Sequence, residues 1–157
     1  MEIKVVDNFL PTKFENLIEK HIKTNIRWEY LPNIADGNPE TFYPGFIHTL
    51  YNNSRGTQSI DEGNVFSYAQ VLYYFCFHNK ISLDNIYRIR LNLNVPVLNS
   101  DLSNILHVDL EKPHLVLIYY VNDSDGDTIL YDNNTLEEIK RVSPKKGRAL
   151  LFDGSTK

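Results

Sequence analysis

Two helical segments followed by a run of short strands predict an α+β fold, mainly β, dominated by antiparallel sheet. Three observations carry this reading. The stretch after Pro11 and the stretch from about Asp61 to His78 space their apolar residues at helical intervals. Residues 86–95 (IYRIRLNLNV) alternate strictly between apolar and polar side chains. Beyond residue 113, several strand-like runs are separated by turn signals. At 157 residues, with 42% hydrophobic and 23% charged, the chain has the size and composition of one globular domain. That excludes a disordered tail, a collagen and a coiled coil.

The elements follow in order. IKVVDNF (3–9) reads as an opening strand. Pro11 suits the start of a helix, with Phe14, Leu17, Ile18, His21 and Ile22 on one face. His21 reads as a partly buried structural histidine. Residues 32–45 hold Pro32, Gly37, Pro39, Pro44 and Gly45, and so form a loop. FIHTLY (46–51) is a short strand, and His48 is a strand residue without chemistry. Asp61 can cap the second helix, with Val65, Ala69, Leu72, Phe75 and Cys76 facing the core. Cys76 reads as a small buried hydrophobe, and His78 suits the negative end of the helix dipole.

In residues 86–95, Ile89, Leu91, Leu93 and Val95 point one way; Arg88, Arg90, Asn92 and Asn94 point the other. HLVLIYYV (114–121) is apolar on both faces, as expected of a strand buried on both sides. NDSDGD (122–127) is a turn and TILYD a further strand. Residues 139–142 can pair, Pro144 and Gly147 bracket another turn, and RALLF (148–152) is the last strand.

Charge and cysteine usage narrow the function classes. The net charge is −4, and the basic residues are scattered, which disfavours a nucleic-acid partner. A single cysteine excludes an intrachain disulfide framework. No signal peptide and no apolar run of membrane length is visible, so the expectation is a cytoplasmic protein. The three Asn-x-Ser/Thr triplets at Asn52, Asn122 and Asn133 then read as chance matches. The DSDGD turn lacks the glycine position and later glutamate of a calcium loop.

His107-Val108-Asp109 carries the chemistry. In an extended segment, residues i and i+2 project to the same side, so an imidazole and a carboxylate there can share one metal ion. Two histidines and one carboxylate on one face suit Fe(II) with open positions for small molecules. Five histidines and eleven aspartates among 157 residues make about a third of one such triplet by chance, so the triplet alone decides little.

Its surroundings add to it. VVDNFLPTKFENLI, RIRLNLN, His107-Val108-Asp109, LIYYVNDSDGDTILYD and VSPKKGRALLFDG occur in that order. Together they resemble the prolyl 4-hydroxylase-like branch of the 2-oxoglutarate- and Fe(II)-dependent oxygenases, over most of the chain. The resemblance implies a double-stranded β-helix, or jelly roll, with N-terminal helices packed on one sheet. It implies His107 and Asp109 as metal ligands and catalytic residues, with 2-oxoglutarate as co-substrate. Tyr120 matches a family tyrosine that bonds the far carboxylate of 2-oxoglutarate. Thr128, after the Gly126 turn, is a further candidate for the lining of the cofactor pocket, although a strand threonine needs no function; Arg90 and Asn92, polar on one face of a core strand, either line that pocket or face solvent. A tyrosine common in the family is missing from residues 95–106 (VPVLNSDLSNIL). The implied reaction hydroxylates a C–H bond, with peptidyl proline as the default substrate by analogy and with succinate and CO2 as co-products.

The family's third ligand is a histidine just beyond the strand that RALLFDG resembles, and a basic residue follows it. Lys157 comes before both positions. The expectation is one oxygenase-like domain, 1–157, truncated at its C-terminal end. A natural fragment or pseudo-enzyme, or substitution by another histidine, of which His114 is nearest, are the alternatives. A jelly-roll binding module without turnover is the rival function. A nucleic-acid demethylating oxygenase is a third, against which the acidic balance argues.

Overall fold

The computed structural model describes residues 2–35, 42–54, 58–96 and 106–156. Among them the chain runs through β1 (Lys4–Val6), α1 (Thr12–Asn25), β2 (Glu29–Leu31), β3 (Gly45–Asn52), β4 (Ser59–Ile60), α2 (Val65–Asn79), β5 (Arg88–Asn94), β6 (Leu115–Tyr119), β7 (Thr128–Tyr131), β8 (Glu138–Val142) and β9 (Ala149–Asp153). The class is α+β, mainly β, and none of the antiparallel sheets closes among the described residues. The chain divides into two compact units, one of Met1–Asn25 with His107–Lys157, the other of Ile26–Leu106.

In the first unit β9 is the central strand of a sheet ordered β1-β9-β6. Ala149, Leu150, Leu151 and Phe152 are all buried, because β9 has a strand on each side and apolar residues on both faces. Val116 pairs with Phe152 and Ile118 with Leu150. Residues directly opposite share a face. That face meets Leu130 of β7 and Val142 of β8 in one apolar cluster, against which Ile3 and Tyr120 pack. β7 and β8 form a separate two-stranded ribbon. The strand expected at 114–121 is shorter, and Leu115 at its start is 46% exposed. Burial on both faces belongs to β9, since among the described residues β6 has a neighbour on one side only in this sheet.

The opening strand spans Lys4–Val6 rather than 3–9, and its pairing ends where Val6 meets Ala149. Arg148 then holds Asp7 with two hydrogen bonds, of 2.6 and 3.0 Å. Helix α1 forms where expected, but its inward face is displaced by one residue. Glu15 is buried and Ile18 and Ile22 half-buried, whereas Phe14 and Leu17 are exposed, at 61% and 62%. Glu15 faces the turn at Gly147, where a side chain would collide with the Glu15 carboxylate. A buried carboxylate on this face was not readable from apolar spacing alone.

In the second unit β3 is the hub. It pairs with β2, β4 and β5, all antiparallel. The expected strand 46–51 is thus extended to Gly45–Asn52, while β2 and β4 add two short strands the sequence reading did not foresee. Helix α2 starts at Val65, four residues later than expected, and its N-cap residue Asn64 makes no side-chain capping bond. Asp61 instead closes the preceding turn: its carbonyl accepts the Asn64 and Val65 N–H groups, and its carboxylate accepts from Gly63 N–H and the Asn64 amide. Val65, Ala69, Phe75 and Cys76 are buried as expected, Leu72 is half-buried, and Tyr68 joins them. Lys80 ends the helix at φ 55° with its N–H on the Cys76 and Phe77 carbonyls.

Candidate functional site

The residues proposed from sequence fall in both units. His107, Asp109, Tyr120 and Thr128 belong to the first; Arg90 and Asn92 lie on β5 in the second.

His107-Val108-Asp109 lies on the irregular segment leading into β6; His107 is exposed and Asp109 half-buried. Leu115 at the start of β6 pairs with Asp153 at the end of β9. The C-terminal end of β9 is therefore at the edge of the sheet that the motif enters. A cleft of about 500 Å³ lies here, with walls that include Val108, Leu110, Lys112, Pro113, Asn133 and Asp153. The Ser155 backbone N–H, and after it the Ser155 hydroxyl, hold the Asp153 carboxyl below its usual range.

Tyr120 follows the other end of β6. It packs on the cluster of Leu130, Val142, Leu150 and Phe152, and its hydroxyl bonds the Thr128 hydroxyl at 2.8 Å. Burial pushes the Tyr120 phenol above its ordinary value, and the Thr128 bond works against that rise. Tyr119 points to the opposite face, where its ring meets Phe9 edge-on at 5.4 Å. The structure thus brings Tyr120 and Thr128 together. A phenol has one proton to donate. For Tyr120 to donate to a carboxylate as well, Thr128 must become the donor of the pair.

On β5, Arg90 lies across from Thr49 and Asn92 across from Ile47, while Leu91 and Leu93 lie across from His48 and Phe46. The polar side of β5 therefore shares a face with the buried Ile47, and Leu93 is 44% exposed. Alternation identified the strand but did not tell which face is covered. Of the stretch without tyrosine, residues 97–105 lie outside the described residues.

Three other histidines have local partners. His48 bonds the Arg27 carbonyl at 2.9 Å and the Asp61 carboxylate at 2.8 Å, which ties β3 to the turn before α2. His78 bonds the Tyr74 carbonyl one helical turn back. His114 sets Nδ1 on the Lys112 carbonyl at 2.8 Å and lays its ring on Gly154, and its buried Nε2 has no hydrogen-bond partner among the described residues. Sequence reasoning passed over two features: the His48–Asp61 pair and the seat of His114 on Gly154. Neither has a local signal, because each joins residues far apart in the chain.

Among the described residues no group of three His, Cys, Asp or Glu side chains is placed to hold a metal ion. The donor types at residues 107 and 109 match a 2-His-1-carboxylate site in kind, but two donors do not complete it. No described helix is long and apolar enough to cross a membrane. Comparison with protein-family models, with curated proteins and with solved structures gave no match to this chain.

Proposed function

We propose that the chain carries the core of an Fe(II)- and 2-oxoglutarate-dependent dioxygenase in a jelly-roll fold. The observation that supports this best is the order of groups along β6. The His-x-Asp motif leads into the strand, and Tyr120 leaves it on the face of Val116 and Ile118, joined to Thr128 on β7. His107 and Asp109 would be the protein's metal donors, and Fe(II) when bound would supply the activation of dioxygen. No third donor stands with them among the described residues. The chain's own share is to hold donors at the motif, to offer a hydroxyl pair at Tyr120 and Thr128, and to leave a cleft of about 500 Å³ beside Val108 for a substrate. Peptidyl proline is the substrate class we assign by analogy.

The test is an anaerobic titration of the chain with Fe(II) and 2-oxoglutarate, followed by the visible band that this chelation gives. A saturable band, lost in Asp109→Ala and in His107→Ala, is the expected result. Tyr120→Phe should weaken 2-oxoglutarate by about tenfold or more, the worth of a hydrogen bond to a charged group. A band unchanged by both alanine substitutions overturns the metal assignment. No band at all favours the second reading, a jelly-roll binding module that turns nothing over.

A further inference from the structure

The sequence contains three Asp-Gly pairs: Asp36–Gly37, Asp125–Gly126 and Asp153–Gly154. The first lies outside the described residues. The other two have the same chemistry and opposite surroundings.

An aspartate followed by glycine can cyclise. The glycine amide nitrogen attacks the aspartate side-chain carboxyl carbon, a C–N bond forms, and the carboxyl hydroxyl leaves as water with the amide proton. The product is a succinimide. Water then opens the ring. Cleavage of the new C–N bond restores aspartate. Cleavage of the ring bond between the amide nitrogen and the original main-chain carbonyl carbon leaves an isoaspartate, with one extra methylene in the backbone. Glycine favours the step because it has no Cβ to block the approach and its backbone turns freely. A tied amide or a tied carboxylate opposes it.

At Asp153–Gly154 both groups are tied. The Gly154 N–H donates to the His114 carbonyl at 2.9 Å. The Asp153 carboxylate accepts from the Ser155 N–H and hydroxyl at 2.9 and 2.8 Å. Gly154 is buried under the His114 ring. At Asp125–Gly126 neither group is held closely. Both residues are exposed, and their contacts are two long ones of 3.5 Å to the Ser124 hydroxyl. A methyl on Gly126 would meet nothing within 4 Å. The flanks, in contrast, are anchored. Asp123 accepts the Lys146 N–H at 2.7 Å, and Asp127 faces Arg141 at 3.8 Å. The tip of this turn is thus the loose point between fixed supports, where chemical change concentrates.

We propose that Asp125–Gly126 is a site of spontaneous succinimide formation and isoaspartate conversion in the folded protein, and that Asp153–Gly154 is protected by its fold. The consequence reaches the candidate site. The extra methylene enters the connection from Tyr120 to Thr128, the two hydroxyls that meet at 2.8 Å.

The experiment ages the folded chain at physiological temperature in mildly acidic buffer made with heavy-oxygen water, where part of the carboxyl is protonated and has a hydroxyl to lose. Peptides are then mapped by mass spectrometry with fragmentation that separates aspartate from isoaspartate. A parallel sample is aged in urea. In the folded chain, isoaspartate and label at residue 125 should exceed those at 153 by at least about tenfold, because the tied pair must first open. In urea the two sites should convert at similar rates. Gly126→Ala, whose added methyl has free space, should bring residue 125 down to the level of residue 153 without loss of fold. Equal conversion at the two sites of the folded chain overturns the proposal. So does conversion at 125 in urea but none in the folded protein.

Discussion

A methyl group placed on Gly154 tests how the end of β9 is held against the segment before β6. In Gly154→Ala the new Cβ would fall inside the His114 imidazole, on Nε2, Cε1 and Cδ2 at once. The ring has little freedom to yield. Its Nδ1 is bound to the Lys112 carbonyl at 2.8 Å, and the His114 carbonyl holds the Gly154 N–H at 2.9 Å. Overpacking of this kind costs about 1–3 kcal/mol, and a displaced ring also forfeits about 1 kcal/mol of hydrogen bonding. We expect a loss of about 2–4 kcal/mol, read as a lowered urea midpoint by circular dichroism. His114→Ala removes the obstacle and also the buried Nε2 that lacks a partner among the described residues. In the double variant the methyl has room, so the two losses should not add. The coupling should be about 1–2 kcal/mol in favour of the double variant. Losses that add to within about 0.5 kcal/mol would mean that the ring is not seated on Gly154 in solution.

Other expectations follow from the same geometry. Gly147 sits at φ 77° with the Glu15 carboxylate against its Cα, so Gly147→Ala should cost about 1–3 kcal/mol in urea unfolding; an unchanged midpoint would contradict the placement of α1. Lys80→Gly should stabilise by about 0.5–1 kcal/mol, because Lys80 holds a left-handed conformation that glycine adopts freely. The Arg148 hydrogen bond, ahead of its charge, lowers the Asp7 carboxyl below its ordinary 3.8. A depressed folded value means stabilisation that is present above the unfolded value and lost as pH falls through the folded one. Asp7→Asn should therefore cost up to about 1 kcal/mol near pH 7, a partly exposed pair being worth no more, and the difference should shrink below about pH 3.8. A gap that stays constant with pH would contradict the pair.

Pattern and structure agree most where one strand or helix suffices to state the rule. Residues 86–95 alternate, and β5 lies within them. RALLF (148–152) was read as the last strand, and β9 overlaps it from Ala149 onward. Asp61 was recognised as a residue that organises the start of α2, but its carboxylate is shared among Gly63, Asn64 and His48, so it closes a turn and the helix begins after it. In the candidate site, the strand that leads to Tyr120 was legible. The partner of Tyr120 was not. Its bond to Thr128 spans the turn 122–127, and a hydroxyl carries no spacing rule that would announce such a pairing.

The amino-acid order by itself determined the class of the fold, the positions of the helices and main strands, and the imidazole and carboxylate two residues apart before β6. Those properties are local, fixed by periodicity, turn chemistry and backbone propensity over a few residues. Only the tertiary structure decided which faces are covered. It turned α1 so that Glu15 rather than Phe14 is buried, made β9 rather than β6 the central strand, set His114 on Gly154, and left Gly126 open while Gly154 is closed. Each of these depends on what a distant segment brings to the same place, and spacing along the chain does not encode that distance.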